Sequence, residues 1–185
     1  KTENGTRWLS IPVSTSEGFP FPINAAQVKD SHWAKEHWKT LRHTYARTPY
    51  FATYEDHFAD VYAQLAEETH LSQINYRLIT AIRDVLKITT PLHWDTEFDL
   101  PEDRTAKFIH LCQQTGADTY LSGPSAQNYM DMAQFAAAGI EVRWMRYEGY
   151  PEYDQLHPPF EHSVTVLDTI FCTGPDAPQY ICSAQ

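Results

Sequence analysis

Between Gly116 and Tyr147 the chain runs through a short β-forming stretch, a helical stretch and a second β-forming stretch, and this alternation most narrows the folds open to it. Thr119 to Leu121 reads as a brief strand, Ser125 to Ala138 as a helix stopped by Gly139, and Ile140 to Tyr147 as a strand rich in large residues. Strands separated by a helix pair in parallel through a crossover, whereas a hairpin needs only a few residues between its arms. The pattern predicts an α/β fold, a mainly parallel sheet with helices on both faces in a Rossmann-like three-layer architecture.

The flanking sequence supplies the covering helices. Ser31 is placed to cap a helix running to about Arg47, with Trp33, His37 and Leu41 on one stripe, and Thr48-Pro49 stops it. Two more helices are expected over about Tyr54 to Glu68 and Ser72 to Lys87; in the second, Ile74, Leu78, Ile82 and Val85 form a strong apolar stripe. Pro101 opens a further helix carrying Phe108, Ile109 and Cys112, with Gly116 as its C′ residue. The last helix is expected near Ser163 to Cys172, after a Pro- and Tyr-rich loop from Tyr150 to Pro159. Alternation of apolar and polar residues predicts a strand over Arg7 to Val13, near an edge because of Pro12, and a shorter one over Leu92 to Trp94. Gly18 to Pro22 reads as a turn-rich connector. At 185 residues, without repeats or low-complexity tracts, the expectation is a single domain over 1–185.

Charge and composition exclude some partners. A net charge of −10 repels phosphate backbones and anionic lipid surfaces, which argues against nucleic acid, although a few local cations can still hold a small anion. Apolar runs such as Phe135 to Ile140 are far too short to span a bilayer, so no membrane partner is expected. Cys112, Cys172 and Cys182 form no CxxC pair, and the first two lie in apolar periodic segments, as buried thiols do. A reducing cytoplasm fits best, a Cys172–Cys182 bridge being the alternative, and no apolar signal core opens the chain. Aromatic residues reach 14%, which suits either a bulky core or an aromatic-lined ligand pocket.

Two loops carry the candidate chemistry. Ser122, Gly123, Pro124 and Ser125 lie between a strand end and a helix start, where α/β folds place ligands and where an anionic or carbonyl group can be held; a plain tight turn is the alternative. The stretch is not Gly-x-Ser-x-Gly, so a serine nucleophile is not expected. In the Tyr150 to Pro159 loop, Tyr153, Gln155 and His157 share one side of an extended segment, and His157 is the best general acid or base in the sequence. His157 and Tyr153 are thus the catalytic candidates, with a packing role as the alternative. Asp168, among apolar positions of the last helix, needs a partner and is a structural acceptor or a site residue. Histidine spacings do not support a metal site, and the absence of Gly-x-Gly-x-x-Gly and Gly-Lys-Ser/Thr leaves any cofactor undetermined.

The run from Gly116-Ala117-Asp118-Thr119-Tyr120-Leu121 to Ser122-Gly123-Pro124-Ser125-Ala126, then Tyr129, Phe135, Gly139-Ile140, Tyr153-x-Gln155-Leu156, Phe160 and Leu167-Asp168, resembles the WbqC-like family. Upstream, Trp38-Lys39-Thr40, Tyr45 and Pro49-Tyr50-Phe51, and Trp8-Leu9-x-Ile11-Pro12-Val13, are similar to its helix end and early strand. The resemblance implies a bacterial protein of surface-polysaccharide and other biosynthetic gene clusters, a transferase on sugar or amino-acid building blocks. It carries over Tyr45, Tyr50, Ser122 to Pro124, Tyr129, Tyr153, Gln155 and Asp168, and puts Lys107 where members often show a basic residue. It also implies an N-terminal strand and a loop that looks like a substrate or nucleotide site, which this sequence does not contain, either because a portion is missing or because this version is shortened; whether they complete the site is left undetermined. The resulting expectation is a group-transfer enzyme acting on a small molecule, including a nucleotide-activated one, in surface-sugar or amino-acid derivative biosynthesis. The alternative is a noncatalytic sugar- or peptide-binding module of a biosynthetic complex. Oligomeric state is left undetermined.

Overall fold

The computed structural model describes residues 1–14 and 22–181. Its helices are α1 (His32–Tyr45), α2 (Phe51–Leu65), α3 (Leu71–Leu86), α4 (Arg104–Thr115), α5 (Met132–Ala137) and α6 (Val166–Thr173); its strands are β1 (Thr119–Ser122) and β2 (Glu141–Trp144). They fall into two compact units, one of Lys1–Thr89 with Tyr150–Cys182, the other of Thr90–Gly149. Among the described residues no helix is long and apolar enough to cross a membrane.

The first unit is helical. Its core gathers Trp33, Leu41 and Tyr45 from α1, Phe51, Phe58 and Leu65 from α2, Ile74 from α3, and Ile170 and Phe171 from α6. Phe171 is the hub, its ring centroid 5.4 Å from that of Tyr45, 5.1 Å from Phe51 and 5.6 Å from Phe58. These are edge or tilted contacts, the geometry aromatic quadrupoles prefer. The helix entries differ from the expected ones in a readable way. Ser31 makes no side-chain cap, and Asp30 Oδ1 instead accepts the His32 N–H at 2.9 Å. α6 starts three residues later than Ser163 because Thr165 is the cap, its hydroxyl accepting from the Leu167 N–H.

The segment Arg7 to Val13, expected as a strand, has no regular secondary structure apart from one isolated bridge, Val13 to Val28. Leu92 to Trp94 forms no strand either and leads into a 3-10 turn over Asp95–Glu97. Alternation prepares a chain for pairing but does not provide the partner. The Gly18 to Pro22 connector falls mostly outside the described residues.

The second unit holds the parallel pair. Thr119 faces Glu141 and Ser122 faces Trp144 across it, joined by the crossover that contains α5. The helix expected over Ser125 to Ala138 is split into a 3-10 turn, Pro124–Asn128, and α5, because Asp131 caps α5 by accepting the Ala133 N–H at 2.9 Å. Gly116 and Gly139 end α4 and the α5 segment with φ of 69° and 70°, a region open mainly to glycine. The ring of Tyr120 lies between Phe108 of α4 and Phe135 of α5, stacked on both at 5.1 and 5.5 Å. Both helices therefore cover one face, while Leu121, Glu141 and Arg143 of the other face are exposed. The mixed helix and strand composition and the parallel pairing match the sequence reading. Among the described residues, however, the sheet has two strands and helices against one of its faces.

Candidate functional site

In the first unit, the loop after Gly149 has no regular secondary structure over residues 151–155 and bends over 156–159 before α6 begins. Tyr153 and Gln155, two residues apart, both reach one buried carboxylate. Asp168, 2% exposed in the first turn of α6, accepts at Oδ1 from the Tyr153 hydroxyl at 2.9 Å and from Gln155 Nε2 at 3.1 Å. The Cys172 thiol, one helical turn on, lies 4.0 Å from the same oxygen, and the Tyr45 hydroxyl faces the carboxylate from α1. Tyr153 also shares a 3.0 Å hydrogen bond with Thr169.

Gln155 is fully occupied. Its Nε2 donates to the Glu161 carbonyl at 2.9 Å as well as to Asp168, and its Oε1 accepts from the Glu161 N–H and from Lys1 Nζ, each at 2.9 Å. Two donors and two lone pairs are all that an amide offers, so this side chain staples the loop to itself and to α6. Lys1 Nζ also donates to the Pro159 carbonyl.

These surroundings suppress ionisation of the weak acids. Burial first, and then the Asp168 charge, pushes the Cys172 thiol up to about 12. Burial raises Tyr153 to about 12 as well, with Asp168 adding to it against the hydrogen bonds from Thr169 and Gln155. Tyr45 is raised by burial and by the same negative charge. At neutral pH all three are protonated donors, which is what a buried carboxylate requires of its neighbours.

On the loop itself opens a cleft of about 250 Å³, lined by Glu152, Tyr153, Asp154, Gln155, Pro158 and Phe160. The Tyr153 and Phe160 rings meet edge to face at 5.1 Å and form its aromatic wall. Glu152 and Asp154 are exposed and make no ion pair among the described residues.

Other sequence candidates take distinct positions. His157 sits half-buried in the bend, outside the cleft lining. Tyr45 is 2% exposed, with the backbone nitrogen of Lys1 donating to its hydroxyl at 2.9 Å. Tyr50 donates its N–H to the Phe171 carbonyl at 3.0 Å, and its ring packs so closely on Gly174 that a Cβ there would lie 2.4 Å away. Ser122, Gly123, Pro124, Ser125, Tyr129 and Lys107 belong to the second unit, so each group is described within its own unit. Ser122 faces the Tyr120 hydroxyl, Lys107 pairs with Asp95 at 3.2 Å, and Pro124 and Ser125 are exposed at the start of the 3-10 turn. Tyr129 carries the Arg104 guanidinium over its ring at 3.8 Å, an arrangement the sequence reading missed. Among the described residues no group of three or more His, Cys, Asp or Glu is placed to hold a metal ion.

Comparison with known proteins gives a consistent answer. The chain is 37% identical over 181 residues to the uncharacterized protein Rv1507c of Mycobacterium tuberculosis, an alignment covering 98% of this chain and 78% of that protein. No solved structure matches. The WbqC-like protein family matches residues 1–180, a span that takes in both units and both loops, and the chain belongs to that family.

Proposed function

We propose that the protein is a group-transfer enzyme acting on an activated small molecule in surface-sugar or amino-acid derivative biosynthesis, and that the cleft on the 150–160 loop receives the acceptor. The observation that carries this reading is the cleft itself: two unpaired carboxylates beside an aromatic wall, on a loop fixed from behind by buried Asp168. Carboxylates accept hydrogen bonds from hydroxyl and amino groups, and ring faces cover the apolar side of a sugar or amino acid. Glu152 and Asp154 hold the acceptor, and the fixed loop supplies the positioning that lowers the barrier of a two-substrate reaction. His157, outside the lining but next in sequence to Pro158 that lines the cleft, is assigned the proton released as the acceptor oxygen or nitrogen bonds to the transferred group and the donor's leaving group departs with its electron pair. Tyr153 contributes its ring, because its hydroxyl is engaged by Asp168 and Thr169.

The finer setting belongs to the same proposal: a cytoplasmic enzyme of polysaccharide assembly, with a Rossmann-like three-layer sheet of which the β1–α5–β2 crossover is the repeating unit. A second reading, a noncatalytic sugar- or peptide-binding module, is favoured by one observation, the complete internal use of Gln155. A thermal-shift screen separates the two, since a ligand that binds the folded state raises the midpoint. Stabilisation by nucleotide sugars or acyl donors, followed by turnover that His157→Ala abolishes, supports the enzyme. Stabilisation by free sugars alone supports the binding module, and turnover unaffected by His157→Ala removes the assigned proton carrier.

A further inference from the structure

β1 and β2 run parallel, so their C-terminal ends lie on the same side of the second unit, the position at which open α/β sheets bind ligands. α4 precedes β1 through the tight turn at Gly116, and Phe108 of α4 stacks on Tyr120. Arg104, one turn before Phe108 on the same helix face, is thereby displaced toward the Ser122 end of the strand. Its guanidinium lies over the Tyr129 ring with Cζ 3.8 Å from the centroid. Stacking uses the flat face of the group and leaves the N–H donors at its edge for another partner.

Hydroxyl groups surround the same end. The Tyr120 hydroxyl faces Ser122 and feels Tyr129 nearby, and a Cβ on Gly123 would lie 3.7 Å from the Tyr147 hydroxyl, so the loop after β2 reaches over the loop after β1. The cations of this unit are Arg104, Lys107, Arg143 and Arg146. Lys107 is held by Asp95 at 3.2 Å and Arg143 by Glu141 at 3.0 Å, whereas Arg104 and Arg146 make no ion pair among the described residues, and of these two Arg104 is the one fixed over an aromatic ring. The N-terminus of α4 is not itself the attraction, because the Asp103 carboxylate already accepts the Ala106 N–H at 2.8 Å.

We infer that the C-terminal end of the β1–β2 pair binds the phosphate of a small molecule, with Arg104 as its charged donor and Ser122 and Tyr147 as hydroxyl donors. A planar fork with edge donors matches two phosphate oxygens at once, and the adjoining hydroxyls supply neutral hydrogen bonds. The inference concerns the second unit by itself, goes beyond the group-transfer reading, and fails separately. That reading falls with the acceptor cleft, this one with phosphate binding.

The test is calorimetric titration of the full chain with inorganic pyrophosphate and, separately, UDP, at fixed ionic strength against a sulfate control. Saturable binding of either is expected, weakened about tenfold or more in Arg104→Gln and less in Arg104→Lys, which keeps the charge and loses the fork. Ser122→Ala weakens it by a smaller factor. Pyrophosphate binding as tight as UDP identifies a free-phosphate site, and tighter UDP binding identifies a nucleotide site; either supports the inference. Arg104 is exposed, so matching circular dichroism and thermal midpoints confirm that the variants fold. Absence of saturable binding to both ligands, binding no tighter than sulfate, or binding unchanged in Arg104→Gln overturns it.

Discussion

Asp168 places a carboxylate where water does not reach, so its replacement tests what the surrounding donors are worth. Asp168→Ala removes the oxygen that accepts from both the Tyr153 hydroxyl and the Gln155 amide and leaves two part-buried donors without it. The expected loss is about 2–4 kcal/mol in urea unfolding, the range for breaking a buried charge-assisted network. Tyr153→Phe removes one hydroxyl and keeps the cleft wall, so it should cost about 1–2 kcal/mol and leave the ring contact with Phe160 in place. Linkage predicts a pH effect from the same cluster. Cys172 and Tyr153 have folded values raised to about 12, so their contribution to stability is fully present below the ordinary thiol and phenol values of 9.0 and 10.0. Above those values the unfolded chain releases its protons and the folded one holds them, so stability falls as pH rises toward 12. The urea midpoint should therefore decline above about pH 9, and Cys172→Ala should flatten the first part of that decline. A midpoint constant from pH 8 to 11 contradicts this. At this scale the sequence was partly legible: of the three residues grouped by alternation, Tyr153 and Gln155 meet at Asp168 whereas His157 lies in the bend outside the cleft lining, and burial logic found that Asp168 needs a partner. It did not place Glu152, Asp154 or Arg104, because their roles depend on a bend, a cleft and a ring brought near by tertiary packing.

Among the elements, α6 carries the most constraint, since every residue from Leu167 to Thr173 is buried. It ends at Gly174, with φ 60° and the Tyr50 ring against its α-carbon. Gly174→Ala meets a positive φ and a ring atom at 2.4 Å, and should cost about 2–4 kcal/mol, read as a lowered thermal midpoint. Asp131→Ala should uncap α5 and lower the thermal midpoint, with Asp131→Asn or Asp131→Ser recovering most of the loss. The long helices were legible because three or four turns of apolar stripe outweigh local noise. Boundaries were less so: Asp30 displaced Ser31 as the cap of α1, and Asp131 divided what reads as one helix between Ser125 and Ala138. The missing strand at Arg7 to Val13 is instructive, since Trp8 there is 96% exposed; its alternation marks neither a buried face nor a strand.

For the molecule as a whole, division into two units has a measurable expression. The first unit is organised around Phe58, Leu65, Ile74, Ile170 and Phe171, all nearly inaccessible, whereas the second rests on a two-stranded pair with one exposed face. Hydrogen exchange should accordingly be slowest in α2 and α6 and faster in β1 and β2, with the change in protection falling near residues 89 and 150. Equal protection throughout would show that the chain opens as one cooperative body. The parallel pairing was visible in the sequence because a helix separates the strands; the number of strands was not, because pairing partners are not encoded in any single run. The Asp168 cluster carries a different implication, for inheritance. One oxygen serves side chains from α6 and from the loop before it, with a hydroxyl of α1 turned toward it. A change at position 168 strands all of them, and a change at any one of them leaves the carboxylate short of a donor. Positions 45, 153, 155 and 168 are thus expected to vary as a set among relatives, so that drift at one is tolerated only when the others move with it.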